Sequence, residues 1–145
     1  MEDSVYIFDA RLPDYDGVGC TVAVRAGQTL EHLHGALRRA FNWHDDHLYS
    51  FWLSGVHWDG PATEFTAPYE LDESDARSAA MRLCDLDLKP GRPIAYVFDF
   101  GDEWRVRLTL RDVAAGDGGR CPRVLESIGE APPQYPEYDE DADAA

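Results

Sequence analysis

The chain has 145 residues, a length that suits a single domain and buries a core without disulfide or metal staples. Hydrophobic residues make up 44% and aromatics 12%, which separates it from disordered chains. Asp and Glu number 28 against 13 Lys and Arg, a formal net charge of -15, so a broad basic surface for nucleic acid or an anionic membrane is disfavoured.

Residues 5–12 (VYIFDARL) alternate as a strand. The turn cluster Pro13, Asp14, Tyr15, Asp16 and Gly17 follows, and residues 20–24 (CTVAV) complete a predicted hairpin. Thr29 then offers an N-cap hydroxyl. Apolar residues at Leu30, Leu33, Ala36, Leu37, Ala40 and Phe41 form a 3.6-residue stripe. Arg38 and Arg39 fall where cations suit the helix dipole, and Asn42 marks the end. The pattern predicts one long helix over about residues 29–42.

Residues 47–53 (HLYSFWL) read as a strand. A long connection with Gly55, Gly60, Pro61 and Pro68 follows, with a short strand expected at 56–58. Residues 73–83 (ESDARSAAMRL) are assigned a second helix. Residues 94–100 (IAYVFDF) and 104–110 (WRVRLTL) form a predicted hairpin around Gly101, Asp102 and Glu103. Gly101 is expected to take the unusual backbone conformation there and Asp102 to bond the local backbone. After Arg111 the pattern decays into an irregular arm with Pro122, Pro132, Pro133 and Pro136.

The expected fold is α+β: a mainly antiparallel sheet packed against the long helix, with Phe8, Phe51, Trp104 and Phe98 or Phe100 under the stripe. Residues 1–129 make the single domain. Residues 130–145 carry Glu130, Glu137, Asp139, Glu140, Asp141 and Asp143 and no cation, and are expected to be a disordered acidic tail. The acidic N-terminus lacks a signal-peptide pattern and no apolar run spans a membrane, so a cytoplasmic location is expected. Cys20, Cys84 and Cys121 form no CxxC pair and read as reduced thiols.

Three blocks carry a resemblance. They are the LEHLH of residues 30–34 running into AFNWHDDHLYSF at 40–51, the YVFDFGDEW of residues 96–104, and the CPRVL of residues 121–125 followed by Ala131, Pro132 and Pro133. Their order and spacing, over about residues 4–136, resemble the plasmid pRiA4b ORF-3-like family, also labelled as passenger TnpR proteins of an insertion element. The resemblance implies a compact α+β domain found in mobile elements, plasmids and chromosomes, with its biochemical role open. The chain departs from the family pattern at residues 17–21, where an I-W-R-R-like segment is usual, and at residues 131–135, where a C-P-P-E-D-like segment is usual. A basic pair and an acidic residue are lost there.

The richest polar cluster is His34, His44, Asp45, Asp46 and His47, which Asp99 and Asp102 join if the 94–110 hairpin packs nearby. His34, Asp46, His47, Asp99 and Asp102 are the candidate catalytic residues. His34, His47, Asp99 and Asp102 are the candidate ligands of a divalent metal such as zinc, manganese or iron. The competing reading is an interior hydrogen-bond network with aspartates capping turns. No cofactor is expected otherwise. The Asp99-Phe100-Gly101 triplet lacks the glycine-rich loop, lysine and catalytic loop of a kinase. None of Ser4, Ser50, Ser54, Ser74, Ser78 and Ser127 stands among arginines as a recombinase nucleophile would.

Trp43, Trp52, Trp58, Tyr69, Tyr135 and Tyr138 exceed what a small core absorbs, and aromatics concentrate at interfaces. Trp43, Trp52, Trp58 and Tyr135 are therefore the expected interaction residues. The leading reading is a non-enzymatic accessory domain that binds a protein partner or itself. The second is an enzyme or metal protein on the His/Asp cluster. The third is DNA binding, which needs Arg25, Arg38, Arg39, Arg105, Arg107 and Arg111 to gather.

Overall fold

The computed structural model describes residues 4–68, 76–116 and 118–134. Among them, eight strands form one sheet: β1 (Val5–Arg11), β2 (Gly19–Arg25), β3 (Tyr49–Trp52), β4 (Glu64–Thr66), β5 (Arg77–Ser78), β6 (Pro93–Phe98), β7 (Trp104–Ala114) and β8 (Arg123–Ile128). The α-helix α1 (Leu30–Phe41) carries the chain from β2 to β3. The strand order is β5-β4-β3-β6-β7-β1-β2-β8, antiparallel throughout except for β4 with β5. This is the α+β architecture predicted, with both hairpins, β1–β2 and β6–β7, in place. A non-local pairing joins them: Phe8 of β1 faces Leu110 of β7, and Ala10 faces Leu108.

The ends of α1 are set by local chemistry. The Thr29 hydroxyl accepts the His32 amide at 3.2 Å, while His32 Nδ1 accepts the Thr29 amide at 3.1 Å, so a histidine takes the reciprocal place usually held by Glu or Gln. Two further first-turn amides, of Leu30 and Glu31, donate to the carbonyls of Met81 and Ala79. Asn42 ends the helix at φ 61°, a conformation Asn tolerates. The stripe Leu30, Leu33, Ala36, Leu37 and Phe41 is buried against Phe8, Val22, Phe51, Phe98, Trp104 and Leu108. Phe100 belongs instead to a small cluster with Trp52, Ala95 and Val97.

Three expectations are corrected. Of the second helix at 73–83, residues 73–75 lie outside the described residues, and the remainder forms no α-helix. Ala79 donates to the Thr66 carbonyl and Leu83 to that of Gln28, so these backbone groups serve β4 and the start of α1 rather than one another. Residues 56–58 form a turn, not a strand. The arm is not irregular throughout, because β8 pairs with β2 and makes one edge of the sheet.

Candidate functional site

The predicted His/Asp cluster separates into two pairs. His34 projects from the buried face of α1, only 4% exposed. Its Nε2 lies 2.9 Å from Asp46 Oδ1 and its Nδ1 2.7 Å from the Tyr96 hydroxyl. Burial outweighs the neighbouring Asp46 carboxylate and pushes the imidazole pKa down to about 4. The ring is neutral at pH 7, so the bonding order is set: Tyr96 O–H donates to Nδ1, and Nε2–H donates to Asp46. The ring also stacks on Tyr49 with centroids 3.6 Å apart. Tyr96 is fully buried at the inner end of this chain, while the Asp46 side chain is half exposed at the outer end. Both rings lie in the interior, His34 at 4% and Tyr96 at 0% exposure.

His47 and Asp99 form the second pair, at 3.6 Å between Nε2 and Oδ2. Asp99 serves the turn: its Oδ1 accepts the amides of Gly101 (3.2 Å) and Asp102 (3.3 Å). Asp99 and Glu103, not Gly101, take the positive φ values of 65° and 58°. Asp102 contributes its amide, and its exposed side chain joins neither pair. Asp99, with its short self-capping side chain, replaces both roles expected of Gly101 and Asp102. Among the described residues no three His, Cys, Asp or Glu side chains group to hold a metal ion.

The aromatic expectation divides as well. Trp43 (2% exposed) stacks on Phe98 at 4.7 Å, and Trp52 is buried under Trp58, so neither presents a surface. Tyr69, Tyr135 and Tyr138 lie outside the described residues. Trp58 is 44% exposed beside Val56 at 55%. It is held at φ 60°. It packs 5.1 Å from Trp52 and 5.1 Å from Phe100, and its Nε1 donates to Glu103 Oε2 at 3.1 Å. His57 Nε2 donates to the Val106 carbonyl at 3.1 Å and clamps this loop on the outer face of the sheet.

The arginines do not gather into one patch. The period-2 geometry of β7 puts Arg105, Arg107 and Arg111 on its outer face. Arg105 pairs with Glu103, and Arg111 holds Asp9 through two nitrogens at 2.6 and 3.0 Å. Burial raises the Asp9 pKa, but the Arg111 and Thr21 bonds outweigh it and hold the carboxyl below its usual range. Arg107 stands opposite Arg11 across β1–β7.

Of the others, Arg25 ends β2, and Arg38 and Arg39 lie in the last turn of α1. Arg38 Nη2 donates to the His44 carbonyl at 2.5 Å, Arg39 Nη2 donates to the Pro122 carbonyl at 3.2 Å, and Arg25 binds the Gly119 carbonyl. The sequence reading missed this second convergence and missed Tyr96 as the partner of His34. The CPR triplet at 121–123 was the one visible signal for the former. A tyrosine inside a buried strand carries no signal for the latter.

The geometry defines a small α+β domain with a closed polar interior and one braced aromatic corner. The chain belongs to the plasmid pRiA4b ORF-3-like protein family, which it matches over residues 17–137. It is 29% identical over 106 residues to "Uncharacterized protein y4hQ" of Sinorhizobium fredii (strain NBRC 101917 / NGR234), covering 72% of this chain and 52% of that protein. The chain thus spans about half the length of that curated relative. Its fold is similar to the crystal structure of a protein of unknown function, MM3350, from Methanosarcina mazei Go1. The TM-score is 0.73 at 21% identity, over 92% of this chain and 74% of that one. No helix among the described residues is long and apolar enough to cross a membrane.

Proposed function

We propose that this chain is a non-catalytic, cytoplasmic accessory domain of the mobile-element kind, and that it binds a protein partner through the corner built by Val56, Trp58 and Phe100. The observation that carries this reading is Trp58: an exposed indole in a left-handed backbone conformation, braced by two aromatic rings and one hydrogen bond. A preorganised aromatic loses little freedom on binding, which is why such residues anchor interfaces.

The test compares the full chain with Trp58→Ala in affinity capture from the source cells, with sedimentation velocity reporting self-association. Expected is a stoichiometric species that the variant loses at least about tenfold, for a hot-spot effect of at least about 1.4 kcal/mol, with an unchanged urea midpoint. Equal capture by both proteins overturns the reading. Elemental mass spectrometry tests the enzyme alternative: one metal per chain, lost in His47→Ala, would replace the binding role with metal chemistry.

A further inference from the structure

A cation on the outer face of β7 is left out of the ion pairs around it. Alternation along the strand places Arg105, Arg107, Thr109 and Arg111 on that face. Arg105 Nε donates to Glu103 at 2.7 Å, and Arg111 Nη2 donates to Asp9 at 2.6 Å. Arg107 is exposed, and its side chain makes no hydrogen bond or ion pair among the described residues. Its register neighbours are Ala95 on β6 and Arg11 on β1, so neither offers a carboxylate. Arg11 itself lies toward β2. Its partner there is Gly19, and a Cβ built on that glycine would stand 2.8 Å from Arg11 Cδ. The missing Cβ makes room for the Arg11 side chain on the side away from Arg107.

This cation stands beside the Trp58 corner. His57, the residue before Trp58, bonds the carbonyl of Val106, the residue before Arg107. Trp58 Nε1 and Arg105 Nε both donate to Glu103 Oε2, at 3.1 and 2.7 Å. Arg107 follows Arg105 by two residues on the same face, a step of about 7 Å. Burial, and to a lesser degree Arg105 and Arg107, hold the His57 pKa below its ordinary value, so the imidazole is neutral at pH 7.

A free guanidinium next to an exposed indole suits a carboxylate beside an apolar side chain. The fork takes the carboxylate through paired N–H donors, and the ring takes the apolar group. Side chains two or four positions apart in an extended peptide face the same side, about 7 or 14 Å apart, which is the scale of this strip. A nucleic acid fits less well. Arg105 and Arg111 are already neutralised by Glu103 and Asp9. A chain of net charge -15 also repels a repeating polyanion more than a peptide with one or two carboxylates.

We infer that the strip from Trp58 to Arg107 binds an acidic segment of a protein partner, with an apolar side chain on Trp58 and a carboxylate two or four residues away forked by Arg107. The inference rests on the partner reading of the Trp58 corner and names that partner's chemistry.

The experiment selects random peptides displayed on phage against the immobilised full chain. The enriched sequences are synthesised and titrated against the parent, Arg107→Glu and Trp58→Ala. Expected are peptides with Asp or Glu two or four residues from a large apolar side chain. They should bind Arg107→Glu at least about tenfold more weakly, and a Lys in place of the acid should restore binding to that variant. The fold should not suffer, because Arg107→Glu removes a like-charge pair opposite Arg11, and its melting temperature is expected at or above that of the parent. Peptides that Trp58→Ala loses but Arg107→Glu binds as the parent does overturn the acidic assignment and leave the corner reading standing. Peptides that bind Trp58→Ala as tightly as the parent remove the corner itself, and this inference with it. Failure to enrich any sequence overturns the inference. A short oligothymidylate that displaces the peptide and does not bind Arg107→Glu also overturns it, because the occupant is then a nucleic acid.

Discussion

The two faces of the sheet are built on opposite terms. The inner face sets Phe8, Val22, Phe51, Phe98, Trp104 and Leu108 against α1, and a hydrogen-bonded chain runs there from Tyr96 through His34 to Asp46. The outer face carries ion pairs, Arg105 with Glu103 and Arg111 with Asp9, around a small aromatic cluster. The inner face is therefore where stability resides. The outer face offers residues that can change without unfolding the protein, which is where a binding surface can sit.

The sharpest contrast is between two tryptophans. Trp43→Ala opens a cavity among Phe41, Phe98 and Trp104 and is expected to cost about 3–5 kcal/mol, read as a lowered urea midpoint. Trp58→Ala on the outer face should change the midpoint by less than about 1 kcal/mol. Equal losses would break the distinction between the faces.

Acid tests the polar chain of the inner face. The folded pKa of His34, about 4, lies below the ordinary 6.5 because burial disfavours the cation. As pH falls, the unfolded chain takes up its proton first. Stability is thus full above about pH 6.5 and is lost progressively toward pH 4, on the order of 3 kcal/mol in total. Urea midpoints measured across that interval should fall. His34→Gln should flatten the slope and leave a residue from His57, whose pKa burial also lowers. An unchanged slope would mean that His34 has the same pKa in the folded and the unfolded chain.

Smaller effects are expected at the rim and on the outer face. Thr29→Ala removes the cap hydroxyl and should cost about 1 kcal/mol in thermal or chemical unfolding. Arg107→Glu replaces a like-charge pair opposite Arg11 by an attractive one and should stabilise by about 0.2–1 kcal/mol, seen as a raised melting temperature. A loss instead would show that Arg107 does more on that face than repel its neighbour.

The repeat of apolar residues determined α1 and both hairpins from the sequence alone. Thr29 and Asn42 marked the helix ends because capping is a local reaction between a side chain and nearby amides. Resemblance of three blocks to a family was also legible and is matched over residues 17–137. Residues 76–83 were misread because their alanines favour a helix, while the open amides of α1 claimed their carbonyls. The His/Asp cluster was legible as a list of residues but not as a geometry. Only the tertiary structure decided that Tyr96, 62 residues beyond His34, takes its second nitrogen. Likewise, the pairing of β1 with β7 and the meeting of Arg39 with the 120–123 loop bring together residues distant in sequence. Local hydrogen bonds and periodicity act within a few residues and are written in the chain. Burial, pKa and the grouping of charges depend on which distant segments exclude water together, and only the packed sheet determines that.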